Sequence, residues 1–327
     1  MQLITGKWVS QAISVIAELR VADHLKNGAR SSADLAKAVV ANEDALYRVL
    51  RALTNVGLFR EGANRTFQLT ELGQFLRSDV PGNLRGYAQF VGEDHMWRAW
   101  GHLLHSVRTG EPAFDHAFRE PVFDFIAKSP ELAAVINDAM TSISADGARA
   151  VVAAYDFRDV RKLVDVGGGH GSMLASILKA NPRTKGVVFD MHHAAEGARE
   201  LLRAEGLVDR AEVSSGDFFE AVPESGDAYI MKHIIHDWDD ARAITILRCC
   251  HRAMVPGGKV LVVDQVVPPP NEVHFGKLMD LEMLALTGGG RERTADEFRK
   301  LFAAAGLELT RIVPTEGPLS VVEGRAM

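Results

Sequence analysis

Leu163-Val164-Asp165-Val166-Gly167-Gly168-Gly169-His170-Gly171 is the stretch whose reading decides the fold. A short apolar β-type run breaks into a glycine cluster, and a helical pattern follows at once from Ser172 to Ala180. Strand, glycine turn, helix is how an α/β protein brings bare backbone N–H groups up to a small anionic or polar ligand. Spacing narrows the ligand. The dinucleotide fingerprint G-x-G-x-x-G, counted from Gly167, ends at Ser172, whereas the glycine comes one place earlier, at Gly171. No Gly-Lys-Ser/Thr follows, so a phosphate-binding P-loop is excluded. The pattern favours a nucleoside ligand without a pyrophosphate, of which S-adenosylmethionine is the commonest.

Downstream of the loop, strands and helices alternate. Strands are expected at 163–166, 186–190, 211–214, 228–232 and 259–266, and two more at 308–313 and 319–323. The helices between them stop at Asn181-Pro182, Gly206 and Pro256-Gly257-Gly258. Such alternation predicts a mostly parallel, doubly wound sheet. Only Glu316-Gly317-Pro318 separates the last two strands, too little for a crossover helix, so they should be antiparallel neighbours.

Upstream, residues 1–155 read as helices with almost no strand. Trp8, Ile13, Ile16, Ala17, Leu19 and Leu25 recur at helical spacing, Ser32 is expected to cap a short helix, and Asn42 another that carries Tyr47, Leu50, Leu53 and Val56. The runs 58–60 and 66–69 flank a turn-rich segment and read as a hairpin. Helix, helix, helix, hairpin is a winged helix-turn-helix. Further helices are expected over 84–107 and 130–155. The fold class is therefore α/β, with two domains, 1–155 and 156–327.

The bulk numbers exclude several classes. The 327 residues, 47% hydrophobic and 24% charged, describe an ordinary globular chain long enough for two cores. A net charge of −6 gives no electrostatic case for nucleic acid. The would-be recognition helix, 42–56, opens on Glu43 and Asp44 and carries only Arg48 and Arg51, which argues against a DNA-binding regulator. No apolar stretch is long enough for a membrane span, and the N-terminus lacks a signal-peptide layout. Cys249 and Cys250 are adjacent, with neither disulfide nor metal spacing, so a cytoplasmic location and no metal are expected.

Ligands of open α/β sheets bind outside the carboxyl ends of the strands. Asp165 precedes the loop that carries Gly167 and Gly169. Asp190, with Met191 after it, ends the second strand, where an acid commonly accepts ribose hydroxyls. Asp217-Phe218 follows the third strand and suits adenine; Lys232 ends the fourth and suits a ligand carboxylate. Just beyond, Met231-Lys232-His233-Ile234-Ile235-His236-Asp237-Trp238 puts His236 at the pocket rim, with a side chain suited to general-base work. Asp264, ending the fifth strand, and Glu292, before the next helix, are acids that could fix its tautomer. His233 is expected to be a structural hydrogen-bonder, and Asp237 and Trp238 to start and anchor the following helix.

LVDVGGGHG, VVFDM, GDFF, MKHIIHDWDD, GGKVLVVDQVVP and DLEMLALTGGGRERT together closely resemble the small-molecule O-methyltransferases of the plant caffeate and bacterial natural-product type, over nearly the whole chain. The resemblance implies a Rossmann-like seven-stranded sheet that binds S-adenosylmethionine, and an N-terminal all-helical winged-helix domain that forms a homodimer. It implies His236 as base, bracketed by Asp264 and Glu292, and a small aromatic or polyketide-type acceptor. Plant members usually carry glutamate where this chain has Asp264. By family position Met140, Ser144 and Met283 line the acceptor site, and the aromatic-rich helix of Phe90, His95, Met96, Trp97 and Trp100 supplies its wall. Retention of His236 with both acids favours methylation over the hydroxylation, decarboxylation or pericyclic chemistry to which some members have been turned.

Overall fold

A computed structural model describes Met1 and residues 3–327; side chains at 130, 131, 133, 134, 137, 138, 141–145, 193 and 194 lie outside the description. The chain divides into two compact units, residues 1–98 with 126–145, and residues 99–125 with 146–327.

The first unit opens with α1 (Gly6–Glu18), α2 (Val21–His24), β1 (Arg30–Ser31), α3 (Ser32–Ala38) and α4 (Glu43–Thr54), then β2 (Phe59–Glu61) and β3 (Thr66–Leu69). Ser31, one residue before the expected cap, accepts the Asp34 N–H at the start of α3, and Asn42 accepts that of Ala45 at the start of α4. Leu46, Leu50 and Leu53 of α4 bury one apolar face in a core with Ile16, Leu35, Phe59 and Phe67. The expected hairpin forms, and β1 adds a third strand in the order β1-β3-β2. Two residues are too short for any periodicity to announce a strand.

The expected helix over 84–107 is instead α5 (Arg85–Gly92), α6 (Asp94–Gly101) and α7 (Leu103–Thr109). Glu93, with ψ of 146°, leaves the helical region and breaks the first junction. Next come α8 (Ala113–Phe118), α9 (Val122–Ala127) and α10 (Pro130–Ala154). Among the described residues no helix is long and apolar enough to cross a membrane.

The second unit is built on β4 (Lys162–Val166), α11 (Ser172–Ala180), β5 (Lys185–Asp190), α12 (His192–Ala204), β6 (Ala211–Ser215), β7 (Gly226–Lys232), α13 (Asp240–Ala253) and β8 (Met254–Asp264). The short β9 (Val266–Val267), α14 (Gly276–Leu286), β10 (Arg293–Thr294), α15 (Ala295–Ala304), β11 (Leu307–Pro314) and β12 (Ser320–Ala326) complete it. Seven strands form one sheet in the order β11-β12-β8-β7-β4-β5-β6; β12 alone runs against the rest, so β12 and β11 are antiparallel neighbours as expected. The strand expected over 259–266 divides at Gln265: β8 stays in the large sheet, while β9 pairs with β10. Alternate residues of β4 enter separate cores, Leu163 with Leu174, Ile177 and Val263, and Val164 with Tyr229, Val262 and Phe298. Burial on both faces explains why these strands read as near-continuous apolar runs.

One buried charge cluster locks the far edge of the sheet. Glu323 of β12, 2% exposed, accepts hydrogen bonds from Tyr155 Oη, Thr310 Oγ1 (2.9 Å), Arg325 Nε (3.2 Å) and both Nε and Nη2 of Arg311 (3.0 and 2.9 Å). Burial raises the carboxyl pKa, but these donors outweigh it and bring it down to about 2. A depressed carboxylate adds stability above its unfolded pKa and loses it as pH falls through the folded one. Glu323→Gln should therefore cost about 1–3 kcal/mol at pH 7, and the difference from wild type in urea melts should shrink steadily below pH 4.5. A constant difference down to pH 3 would refute this account.

Candidate active site

The strand order reverses beside β4: the chain moves outward through β5 to β6, then returns to β7 on β4's other flank. The crevice outside the carboxyl ends at such a point is where ligands bind. Gly167 has φ of +67°, and a Cβ there would lie 2.4 Å from Ile234 Cδ1, so only glycine fits between β4 and the segment after β7. Asp190 Oδ2 accepts the Gly169 N–H at 2.7 Å and its Oδ1 the Met191 N–H at 2.6 Å, tying the end of β5 to the loop. Asp165 is buried beneath the loop, its Cγ 2.8 Å from the Cβ position of Gly168. Burial pushes its carboxyl up to about 7 against the opposing pull of Lys232, and its Oδ2 has no hydrogen-bond partner among the described residues. Lys232, at the end of β7, is lowered to about 8 by burial and places Nζ 3.2 Å from His233 Nδ1.

Phe218 reaches the same crevice, 3.8 Å from the Gly167 Cβ position, and Asp217 accepts the Phe219 N–H at 2.8 Å. Met191 stands 59% exposed at the rim. The loop, Asp190, Met191, Asp217, Phe218 and Lys232 thus gather at adjoining strand ends. Gly169 has open space where a Cβ would stand, which leaves that side of the loop free for a ligand.

His236 is buried on a single helical turn, Ile235–Asp237, just past β7. Its Nδ1 lies 2.7 Å from Glu292 Oε1, and its Nε2 is 3.5 Å from Asp237 Oδ1. Burial works to lower the imidazole pKa, but Asp237, Asp264 and Glu292 outweigh it and raise it to about 9. Asp264 acts through charge alone. Its Oδ1 accepts the His233 backbone N–H at 3.0 Å, its Oδ2 has no partner among the described residues, and burial raises it to about 7. The bracket expected around His236 is therefore asymmetric, bonded on the Glu292 side.

Asp237 requires correction as the helix start. Asp239 caps α13, accepting the Arg242 N–H at 2.8 Å, while Asp237 faces His236. Trp238 is the hub of an aromatic cluster, with centroids of Phe219, Phe123 and Phe218 at 4.8, 5.7 and 6.2 Å.

Several residues that hold this site had not been singled out. Arg293 is 1% exposed; its guanidinium donates to Ile235 O (3.0 Å), Trp238 O (2.9 Å) and Asp240 Oδ1 (2.8 and 3.0 Å). It clasps both ends of the turn that bears His236. Arg291 N donates to His236 O at 2.7 Å, and Asp280 Oδ1 accepts the Glu292 N–H at 2.8 Å. A Cβ at Gly290 would stand 2.6 Å from His236 O and 2.2 Å from Thr287 Oγ1, so glycine is required for this approach. The triple glycine 288–290 was the available signal. Nothing in the pattern marks a buried arginine.

The acceptor-wall residues divide. Met283, buried on α14, lies in the same unit as His236; Trp97 and Met140 lie in the first unit, and the Ser144 side chain lies outside the described residues. Trp97 lines a first-unit cavity of about 420 Å³ with Lys7, Trp8, Gln11, Gly92 and Asp94. Phe90, His95 and Met96 are core. Trp100 Nε1 donates to Glu282 Oε2 of α14 at 2.6 Å.

Comparison with known proteins gives two domain matches, an O-methyltransferase domain over residues 100–308 and an O-methyltransferase dimerisation domain over residues 1–79. The chain is 43% identical to phenazine O-methyltransferase PhzM of Lysobacter antibioticus over 325 residues, covering 99% of this chain and 95% of the relative. The solved structure of LaPhzM superposes with a TM-score of 0.95 at 43% identity, covering 100% and 98% of the two chains. That of NcsB1, an O-methyltransferase from neocarzinostatin biosynthesis in complex with S-adenosylmethionine and 2-hydroxy-5-methyl naphthoic acid, gives 0.81 at 35% identity, covering 97% and 96%.

Arg293→Met should cost about 2–5 kcal/mol, because two buried carbonyls lose their donor. NMR titration of His236 in the folded variant should also show a lower pKa. An unchanged denaturation midpoint with an unchanged titration would rule out the clasp.

Proposed function

We propose a function from one premise: this chain belongs to the O-methyltransferase family. It methylates a hydroxyl, phenolic in our reading, of a small aromatic or polyketide-type metabolite of natural-product biosynthesis. S-Adenosylmethionine is the donor and His236 the general base. The observation that carries the reading is the buried His236 Nδ1–Glu292 Oε1 contact of 2.7 Å, two residues past the Ile234 that packs on the glycine loop.

The crevice fits the donor. The open side of Gly169, the orphaned buried Oδ2 of Asp165 and the cation of Lys232 suit a zwitterionic nucleoside. Gly167 and Gly169 would cradle it over Asp165, with Asp190 and Met191 at its ribose, Asp217 and Phe218 at its adenine and Lys232 at its carboxylate. When bound, S-adenosylmethionine supplies a methyl group already activated by the sulfonium.

The chain's own task is to align the acceptor, exclude water and take a proton. A phenol has a pKa of about 10, so a base is needed near neutrality. Glu292 at Nδ1 fixes the tautomer that carries the ring's own proton on Nδ1 and leaves Nε2 to accept the proton of the hydroxyl. The imidazolium that forms is then flanked by Glu292 at one nitrogen and Asp237 at the other, with Asp264 nearby in charge. Met283, in the unit that holds His236, is the proposed acceptor contact.

The N-terminal unit is proposed to form a homodimer. It exposes Leu3, Ile4 and Trp8, and its first 79 residues match the dimerisation domain. Trp8→Asp should shift the protein toward monomer in sedimentation at micromolar concentration; an unchanged dimer would remove Trp8 from the interface.

Incubation with S-adenosylmethionine and a panel of phenolic and polyketide acceptors should give products heavier by one CH2 per transfer, a methyl in place of the hydroxyl hydrogen. A gain of oxygen or loss of carboxyl instead would contradict methyl transfer. His236→Ala should lower turnover about 10²–10⁴-fold while calorimetry with S-adenosylhomocysteine stays near wild type. Because the raised imidazole must be neutral to accept a proton, kcat/KM should rise with pH through a limb between 6.5 and about 9. The limb should move down in Glu292→Gln; a limb indifferent to that change would remove Glu292 from the base's surroundings.

A further inference from the structure

His233 is the residue of this edge that the proposed chemistry leaves without a role, and the structure maintains it at a cost. Its backbone is left-handed, with φ of +56°, a conformation few residues other than glycine take. Its N–H is held by Val263 O at 3.2 Å and Asp264 Oδ1 at 3.0 Å. Its ring stacks on that of His236, with centroids 5.0 Å apart and planes at 14°. An ammonium only donates, so the Nδ1 facing Lys232 Nζ at 3.2 Å is an acceptor and the single proton of the neutral ring sits on Nε2. Burial, then the cations of Lys232 and His236, keep the ring neutral. That Nε2 is buried and has no hydrogen-bond partner among the described residues. Buried polar groups in folded proteins are nearly always paired, so a donor left unpaired between Lys232 and His236, at the strand ends where ligands of such sheets bind, points to a partner that arrives with the ligand.

We infer that His233 is a ligand-binding residue, whose Nε2–H donates a hydrogen bond to an oxygen of a bound molecule between the glycine loop and His236. The flanking residues frame that position: Lys232 lies on the cofactor side, Ile234 packs against the loop, and His236 lies on the acceptor side. The oxygen belongs either to the cofactor's carboxylate or to the acceptor, as a carbonyl, carboxylate or second hydroxyl near the reacting group. The inference rests on the function proposed above.

Two variants separate the donor from the stack. His233→Phe keeps an aromatic face and removes the N–H; His233→Gln keeps a donor of similar reach. His233→Asn tolerates the left-handed backbone but is too short to reach, and serves if the phenylalanine variant does not fold. Binding of S-adenosylhomocysteine by calorimetry and KM for the acceptor found in the panel are read for each. The expected result is a roughly 10–100-fold weakening of one of these two in His233→Phe or His233→Asn, recovered to within a few-fold in His233→Gln. A weakened Kd assigns the oxygen to the cofactor, and a raised KM assigns it to the acceptor. If both stay unchanged, or glutamine fails to recover what phenylalanine loses, the inference is overturned while methyl transfer stands. If wild type neither binds S-adenosylhomocysteine nor methylates any acceptor, the function reading falls and takes this inference with it.

Discussion

A histidine is oriented only as well as the two backbones that carry it and its partner, and here those backbones are 56 residues apart. The contact between His236 and Glu292 depends on docking residues 287–294 against the turn at 235–238. Arg293 reaches under the turn to Ile235 O and Trp238 O, Arg291 N bonds His236 O, and Asp280 holds the Glu292 N–H. Gly290 sets how near the two segments come, since a methyl group there would overlap His236 O. A buried guanidinium is costly to desolvate and is retained where its fork of donors meets acceptors that nothing else can satisfy. Two carbonyls of a tight turn and one carboxylate are such a set.

The same edge concentrates unmet polarity. Asp165 Oδ2, His233 Nε2, Asp264 Oδ2 and Glu292 Oε2 are all buried without a partner among the described residues, and all lie at the ends of β4, β7 and β8 or the loop facing them. Each such group costs about 1–3 kcal/mol, and the left-handed backbone at His233 adds about 1–2 kcal/mol. The Glu323 cluster at the far edge satisfies every oxygen it buries. Two clusters of buried charge on one sheet thus differ in kind: one is closed and stabilises, and the other leaves polar atoms unpaired among the described residues.

What could be read from the sequence follows from how far each signal reaches. The strands of the sheet were legible because burial on both faces makes continuous apolar runs, and the glycine loop because turn chemistry is local. Ser31 rather than Ser32 as the cap, and Asp239 rather than Asp237, are one- and two-residue errors among adjacent polar candidates, which only the hydrogen bond separates. The split at Gln265 was hidden because Val266 and Val267 continue the β pattern while turning to pair with β10. Arg293 was illegible: an arginine in a charged run reads as solvated, and only the fold shows that it is enclosed. Asp264 acts on His236 by charge only, because its short side chain is taken up by the His233 backbone.

The register of the parallel strands explains why the glycine loop and His236 come to the same edge of the sheet. Asp165 of β4 stands opposite Ile230 of β7, so the strand ends are level: Gly167 comes two residues after the first, Lys232 two after the second. Ile234 then falls over Gly167, and His236 follows two residues further, buried on the turn after β7. On the other flank Lys232 is opposite Val263, which brings Asp264 to the backbone of His233. Side chains alternate along a strand, so a slip of one residue would turn Asp165 and Lys232 to the wrong faces and break the packing of both cores. The apolar alternation that buries Leu163 on one side and Val164 on the other therefore does more than stabilise the sheet. It sets the phase in which acid, glycine, lysine and histidine arrive at its edge.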